Sequence, residues 1–332
     1  MTNTKTHFES IDPAEAQLTK KLRGLLAGAQ KANPESAKRR GQHPKAHGCV
    51  WATLEISNQL PSNLQTPVFQ PGRSYDALVR FSNGRTFNDT DRDAHGMAIK
   101  LLGVEGPRAM DEGEQLTQDF VLADSPNFFA KDVAHMLDFV VQTAPEAAGG
   151  GGKTAAELAA TTHPHVATFT KHAMASPMDM TYWSQTPYLL GQHAVKYIAS
   201  PVHDVDDSPV TTGTENFLHE AMVARLSDDR PLEYQLSAQV ISDEESVEDA
   251  TEIWQSQPTP VATLTIAPQT FDTPERHRFC EQLTFTPWHA HQAHRPLGGI
   301  NRARKGIYLD SKRLREEKLG VQFREPVAKD KS

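Results

Sequence analysis

Tyr75-Asp76-Ala77-Leu78-Val79-Arg80-Phe81-Ser82-Asn83-Gly84 alternates side chains with the two-residue period of a β-strand. Tyr75, Ala77, Val79 and Phe81 make one face, and Asp76, Leu78, Arg80 and Ser82 the other. An arginine and a serine pointing into a barrel need partners, which a carboxylate-bearing ligand supplies. The solvent face of an edge strand accounts for the same pattern equally well. Around this strand lie Val50–Ile56, Met97–Leu101 and Phe120–Ala123, three more runs of strand composition. Pro61, Pro67, Pro71 and Gly72 break the chain between the first two runs. Further strands are expected near 193–199, 233–241 and 261–266. Strands close in sequence and joined by short turns favour antiparallel pairing, so an α+β fold on a barrel or strongly curved sheet is expected.

Helices flank these strands. Asp12 and Pro13 open the first, Leu18, Leu22, Leu25 and Leu26 give it an apolar face, and Gly28 is the expected stop. A second spans Phe129 to Val141, with Val133, Met136, Leu137 and Val140 on one side. Helical stretches are expected near 154–174 and 214–226, another from about 273, and a last one over about 300–317. Gly149 to Gly152 is a loop; Lys153-Thr154 follows it without the spacing of a phosphate-binding motif.

The chain has 332 residues, long enough for one large domain or two small ones. A formal charge of -8 disfavours nucleic acid and anionic membranes as partners. No segment is apolar enough to span a bilayer, and the amino-terminal residues do not read as a secretory signal, so the cytoplasm is the expected compartment. Two cysteines, Cys49 and Cys280, are too few for a disulfide framework or a zinc or iron–sulfur site.

Two short patterns carry the chemistry. Tyr308 stands four residues after Arg304 and seven before Arg315, on one face of the last helix. A tyrosine phenol, with an ordinary pKa of about 10, binds iron only when something favours its charged form, and an arginine one turn away does so. Far upstream, Arg40 precedes His43 by three residues, and a histidine can serve as acid and base near neutral pH. Each pattern has a plainer explanation. The arginines around Tyr308 could be a solvated basic face, and His43 one idle loop histidine among 15.

Taken in order, Arg40-x-x-His43-x-Lys45, Arg80-Phe81-Ser82, Arg92-Asp93-x-x-Gly96, Pro126-x-Phe128-Phe129-x-x-Asp132 and Arg304-x-x-x-Tyr308 resemble the haem catalases. His43-Pro44-Lys45-Ala46-His47-Gly48-Cys49 and Thr286-Pro287-Trp288-His289 look like the small catalase-related peroxidases of that superfamily. The resemblance is dense over 40–140 and 284–316 and weak between, where Tyr182–Tyr188 is the best anchor. It implies an antiparallel β-barrel of the catalase type enclosing haem b, with flanking helices. It also implies a single domain over 1–332: a helical segment over 1–30, a distal half over 40–142, a second half over 143–283, a proximal turn and helix over 284–317, and a tail over 318–332.

Carried over residue by residue, the resemblance makes Tyr308 the iron ligand and Arg304 its charge partner. His43 becomes the distal acid and base, with Ser82 bonded to its far nitrogen. Arg40, Arg80 and Arg315 would hold the propionates, and Phe128, Phe129 and Met136 would line the pocket. The implied substrate is hydrogen peroxide or an organic hydroperoxide, reduced with a small organic electron donor; weak catalase activity and a homodimer are compatible. Where family members carry an asparagine beside the distal histidine, this chain has Ala123, with Asp124 next to it as the remaining polar candidate. Alanine donates nothing and ionised aspartate only accepts, which favours peroxidase over catalase turnover. His47 rivals His43, but only His43 keeps the spacing from Arg40.

Three other readings stand beside this one. The first is a haem enzyme transforming fatty-acid hydroperoxides. The second is a haem-binding protein without catalysis, which would need Tyr308 and the arginines but not His43. The third is a non-haem metal protein using His289, His291 and His294. Pro287 and Pro296 stiffen that loop and no carboxylate lies within it, so loop capping or proximal-side contact is the better expectation.

Overall fold

A computed structural model of the chain describes residues 8–33, 38–146, 149–169, 172–202, 205, 210 and 212–331. Its strands are β1 (Ala46–Ile56), β2 (Ser74–Asn83), β3 (His95–Leu102), β4 (Thr117–Ala123), β5 (Tyr182–Trp183), β6 (Tyr188–Leu190), β7 (His193–Pro201), β8 (Leu232–Val240) and β9 (Thr259–Ile266). All pair antiparallel in the order β5-β4-β3-β2-β1-β9-β8-β7-β6. The pairs Tyr182↔Ala199 and Trp183↔Ile198 join β5 to β7 and close eight strands into a barrel, leaving β6 as an extra strand beyond the ring. Closure removes the open edges that would otherwise invite mispairing.

The alternation of β2 sets which face turns inward. Tyr75, Ala77, Val79 and Phe81 join Val50, Leu54, Ile99, Phe120, Tyr197, Tyr234 and Leu264 in one cluster that runs around all the long strands, the barrel interior. Phe120 meets Tyr197 edge-on at 4.9 Å, and the buried phenol of Tyr234 donates to the Met178 carbonyl at 2.6 Å. The interior is thus packed with side chains. Arg80 and Ser82 lie on the opposite, outer face of the wall, yet remain buried there. The expectation of an inward-facing arginine and serine is corrected on this point: apolar residues took the interior.

The helices are α1 (Glu15–Ala32), α2 (Val133–Thr143), α3 (Ala155–Ala159), α4 (Phe217–Leu226), α5 (Pro274–Gln282) and α6 (Gly299–Leu319). Leu22, Val133, Leu137 and Ala303 form the buried seam of α1, α2 and α6, with Leu18, Leu26 and Ile307 packed against it. Arg23 holds both carboxylate oxygens of Asp310 at 2.8 Å, and Arg302 likewise grips Glu15 at 2.7 Å, so α1 is bolted to α6. α1 runs through the expected stop at Gly28 to Ala32, because burial of its leucine face outweighs the cost of one glycine, about 1 kcal/mol. α6 ends where Gly320 takes a left-handed conformation (φ 65°). The helix expected over 154–174 is only α3 and a 3-10 turn at Pro164–Phe169: Pro164 lacks the N–H that a continuing helix needs. Residues 170 and 171 of that stretch lie outside the described residues.

Outside the wall, a buried charge cluster positions the approach to α6. The Lys100 ammonium bonds Glu114 and, at 2.6 Å, Asp119. The second Asp119 oxygen accepts from the Thr286 N–H at 3.0 Å and lies 3.1 Å from His289 Nδ1. Burial alone would pull the Lys100 pKa down, but Asp119 and Glu114 hold it above the ordinary value. Glu114, Asp119 and His289 stand close enough to hold a cation; the ammonium already fills that role. Lys100→Met should therefore leave two buried carboxylates without their cation and cost about 3–5 kcal/mol, read as a lower denaturant midpoint. An unchanged midpoint would show the cluster to be dispensable.

Candidate active site

Three paired positions across the wall build one side of the site. Ser82 pairs with Gly96, and Gly96 with Ala123, so all three share the outer face. A Cβ at Gly96 would lie 2.6 Å from Cε1 and Nδ1 of His43. The imidazole therefore lies over the glycine, in a space that only the missing side chain leaves. Ser82 Oγ is 3.1 Å from His43 Nδ1, the bond expected from sequence, which leaves Nε2 as the nitrogen open to a substrate. His43 itself is in the left-handed region (φ 55°), a costly conformation for a non-glycine residue. Two bonds hold it there: its N–H donates to the Gly84 carbonyl at 2.8 Å, and its carbonyl accepts from Arg80 at 2.8 Å. Burial, and then the charge of Arg80, lower the His43 pKa to about 4. His43 is thus a neutral, proton-accepting group at pH 7.

Asp124 does not act alone. Its carboxylate accepts from the His95 backbone N–H at 3.0 Å and lies 3.0 Å from His95 Nδ1. His95 Nε2 is buried and has no partner among the described residues. Both groups are near enough to influence His43 electrostatically. Sequence reasoning overlooked His95: it falls on an unspecified position of Arg92-Asp93-x-x-Gly96, and only the register of β3 on β4 brings it to Asp124. His47, the rival distal residue, is fully buried with Nε2 on Asn83 Oδ1 at 2.9 Å. Burial, then the charges of His95 and Lys45, keep it neutral, and it is tied into the wall.

On α6, Arg304 donates to the Tyr308 hydroxyl at 2.6 Å, with its guanidinium 5.1 Å from the ring centre. Its other nitrogen donates to Thr186 and Asn301, both at 3.2 Å, and Asn301 donates to the Pro187 carbonyl at 2.8 Å. The 184–188 turn between β5 and β6 thus fixes the arginine that faces the phenol.

Arg40, Arg80 and Arg315 come together although they sit on a loop, a strand and a helix. Arg40 donates to the carbonyls of Cys280 (3.0 Å) and Leu283 (2.7 Å) and contacts Glu281 Oε2 at 3.3 Å. Arg315 donates to the Glu281 carbonyl. Burial first, and then repulsion from Arg40, lower the pKa of both Arg80 and Arg315. The same cations pull Glu281 below the ordinary carboxylate range against its own burial. Arg40, Arg80 and Arg315 face one carboxylate, Glu281, so positive charge is in excess there. The Nε atoms of Arg80 and Arg315 are buried without a partner among the described residues. Such a cradle suits a ligand with two carboxylates, which is what haem presents.

Phe129 is buried in the small core under α2 and meets Phe139 edge-on at 4.8 Å, and the half-buried Phe128 and Met136 pack against the same core. The three histidines do not converge to chelate, and His291 caps the 3-10 turn at Gln292–His294, as expected of a capping loop. His294 is buried between Thr66 Oγ1 (2.7 Å) and the Tyr197 hydroxyl (3.1 Å), His289 joins Asp119, and His291 accepts from the Ala293 N–H at 3.0 Å.

Closed eight-stranded antiparallel barrel and flanking helices together define the catalase fold. Two solved structures show it. A fungal catalase superposes with a TM-score of 0.63 at 19% identity, over 85% of this chain and 60% of its own. Catalase A from Saccharomyces cerevisiae superposes with a TM-score of 0.63 at 16% identity, over 87% of this chain and 65% of its own. The chain thus spans less than two thirds of either, and at these identities the likeness is one of fold. No protein-family model and no curated protein matches the sequence.

Proposed function

We propose that the chain is a haem b peroxidase, reducing hydrogen peroxide with a small organic electron donor. The observation that carries this reading is the arginine cradle. It joins the helix of Tyr308 to the strand of Ser82, and its excess positive charge suits the carboxylates of the haem propionates. Haem bound there supplies the redox chemistry with peroxide. Tyr308 would be the iron ligand, kept anionic by Arg304. Arg40, Arg80 and Arg315 would bind the carboxylates, and Phe128 and Met136 would line the face. His43, neutral and held by Ser82, would take a proton from the peroxide oxygen that binds and return it to the oxygen that leaves. Asp124 would act through His95 rather than on peroxide directly.

The same geometry supports peroxidase over catalase turnover. Position 123 shares the face of Ser82 and the His43 ring, and alanine there offers no donor. Ala123→Asn should raise oxygen release from peroxide by about 10²-fold, the worth of one well-placed donor; oxygen-electrode rates that do not rise would remove this explanation. Titration of the purified chain with haem tests the reading as a whole. One equivalent should bind, and Arg80→Leu or Arg315→Leu should weaken uptake. Uptake that ignores both substitutions, or no uptake, overturns it.

A further inference from the structure

Cys49 on β1 and Cys280 on α5 lie together in one buried cluster with Trp51, Leu78 and Leu283, close enough that each sulfur shifts the titration of the other. Both thiols are free and line the wall of a cavity of about 250 Å³ that Arg39, Arg276 and His277 help to form. The two sulfurs are in unequal surroundings. The Cys280 pKa is lowered to about 7, foremost by the Cys49 hydrogen bond; burial opposes this, and Arg80 and Arg40 assist it. The same hydrogen bond and burial push Cys49 well up. The surroundings favour the thiolate on Cys280 and the thiol on Cys49, the pairing that reversible peroxide oxidation requires.

We propose that Cys49 and Cys280 form a peroxide-oxidised dithiol site, separate from the Tyr308 face, that cycles between two thiols and a disulfide. In the first step the Cys280 thiolate attacks one oxygen of hydrogen peroxide. The O–O bond breaks, Cys280 becomes a sulfenic acid, and the departing hydroxide takes a proton to leave as water. In the second, the Cys49 sulfur attacks the sulfenic sulfur, the S–S bond forms, and the sulfenic oxygen leaves as a second water with the Cys49 proton. Two thiols and one peroxide give one disulfide and two waters. An external thiol reductant reverses the change by exchange, and its own sulfurs end as a disulfide. Cys280 lies beside the carbonyls that Arg40 and Arg315 grip, so the cross-link would clamp α5 to β1 at the back of the arginine cradle.

This site stands apart from the haem reading and is tested without haem. The full chain is treated with an equivalent of hydrogen peroxide, denatured, alkylated and digested for mass spectrometry. The expected product is a Cys49–Cys280 cross-linked peptide, lighter by two hydrogens and reopened by dithiothreitol. In Cys49→Ser, which keeps a hydrogen-bonding group beside it but cannot close a disulfide, dimedone should label Cys280; in Cys280→Ala, Cys49 should stay alkylatable at the same peroxide dose. Two cysteines still fully alkylated in the treated wild type, cross-links only between chains, or dimedone labelling of Cys49 in Cys280→Ala would each overturn the proposal.

Discussion

Tyr308→Phe is expected to remove the phenolate-to-iron absorption from the haem-loaded chain and to lower haem affinity by more than the roughly 10- to 100-fold that loss of a supporting residue costs. Phenylalanine keeps the ring in the space beside Arg304 but takes away the oxygen that Arg304 now bonds at 2.6 Å. The guanidinium would then keep Thr186 and Asn301 and lose its phenol. Arg304→Leu should act in the same direction and more weakly, because the oxygen remains and only its charge partner is gone. A Tyr308→Phe protein whose haem spectrum matched the wild type would rule out the proposed ligand, and with it the proposed function.

His43→Ala should leave haem uptake intact and slow the reaction with hydrogen peroxide by about 10²–10⁴-fold, the usual worth of a positioned acid–base group. The two variants thus separate holding a cofactor from using it. Stopped-flow rates equal to the wild type would point instead to the binding-only reading. The pH dependence carries a sign of its own. Folded His43 takes a proton only near pH 4, whereas an unfolded histidine does so near 6.5. The folded protein should therefore keep its base, and its rate, from neutrality down to about pH 4. Between those two values the unfolded chain binds more protons, so stability falls as pH drops through that window. Urea midpoints measured across the window should fall more gently in His43→Gln. Identical slopes would mean that His43 is ordinary.

The barrel was legible where strands were long enough to show a period. Tyr75 to Ser82 separates core from wall residue by residue, and β1, β3, β4, β7, β8 and β9 fall close to their expected places. Closure was not legible, because β5 and β6 are two and three residues long and such pieces have no period. Which side of the wall faced the site was also hidden: alternation gives two faces but not which of them the remaining strands will cover. The pairs His43–Ser82 and Arg304–Tyr308, expected from short motifs, are present as hydrogen bonds. Contacts made only by register or packing, His95 with Asp124 and Cys49 with Cys280, left no local signal. Charge behaved likewise: Glu281 carried no motif, yet it decides the balance among the three arginines.

That balance bears on how the protein is assembled. With positive charge in excess among Arg40, Arg80 and Arg315 behind α5, the proposed haem would relieve their mutual repulsion through its propionates. Ligand capture and completion of the native packing then become one equilibrium rather than two successive events. Without ligand, amide exchange should be fastest over residues 280–283 and at the carboxyl-terminal half of α6. With ligand, those same amides should slow the most, and thermal unfolding should shift upward with ligand concentration. A cell making this chain faster than it supplies the ligand would accumulate a form with one soft seam.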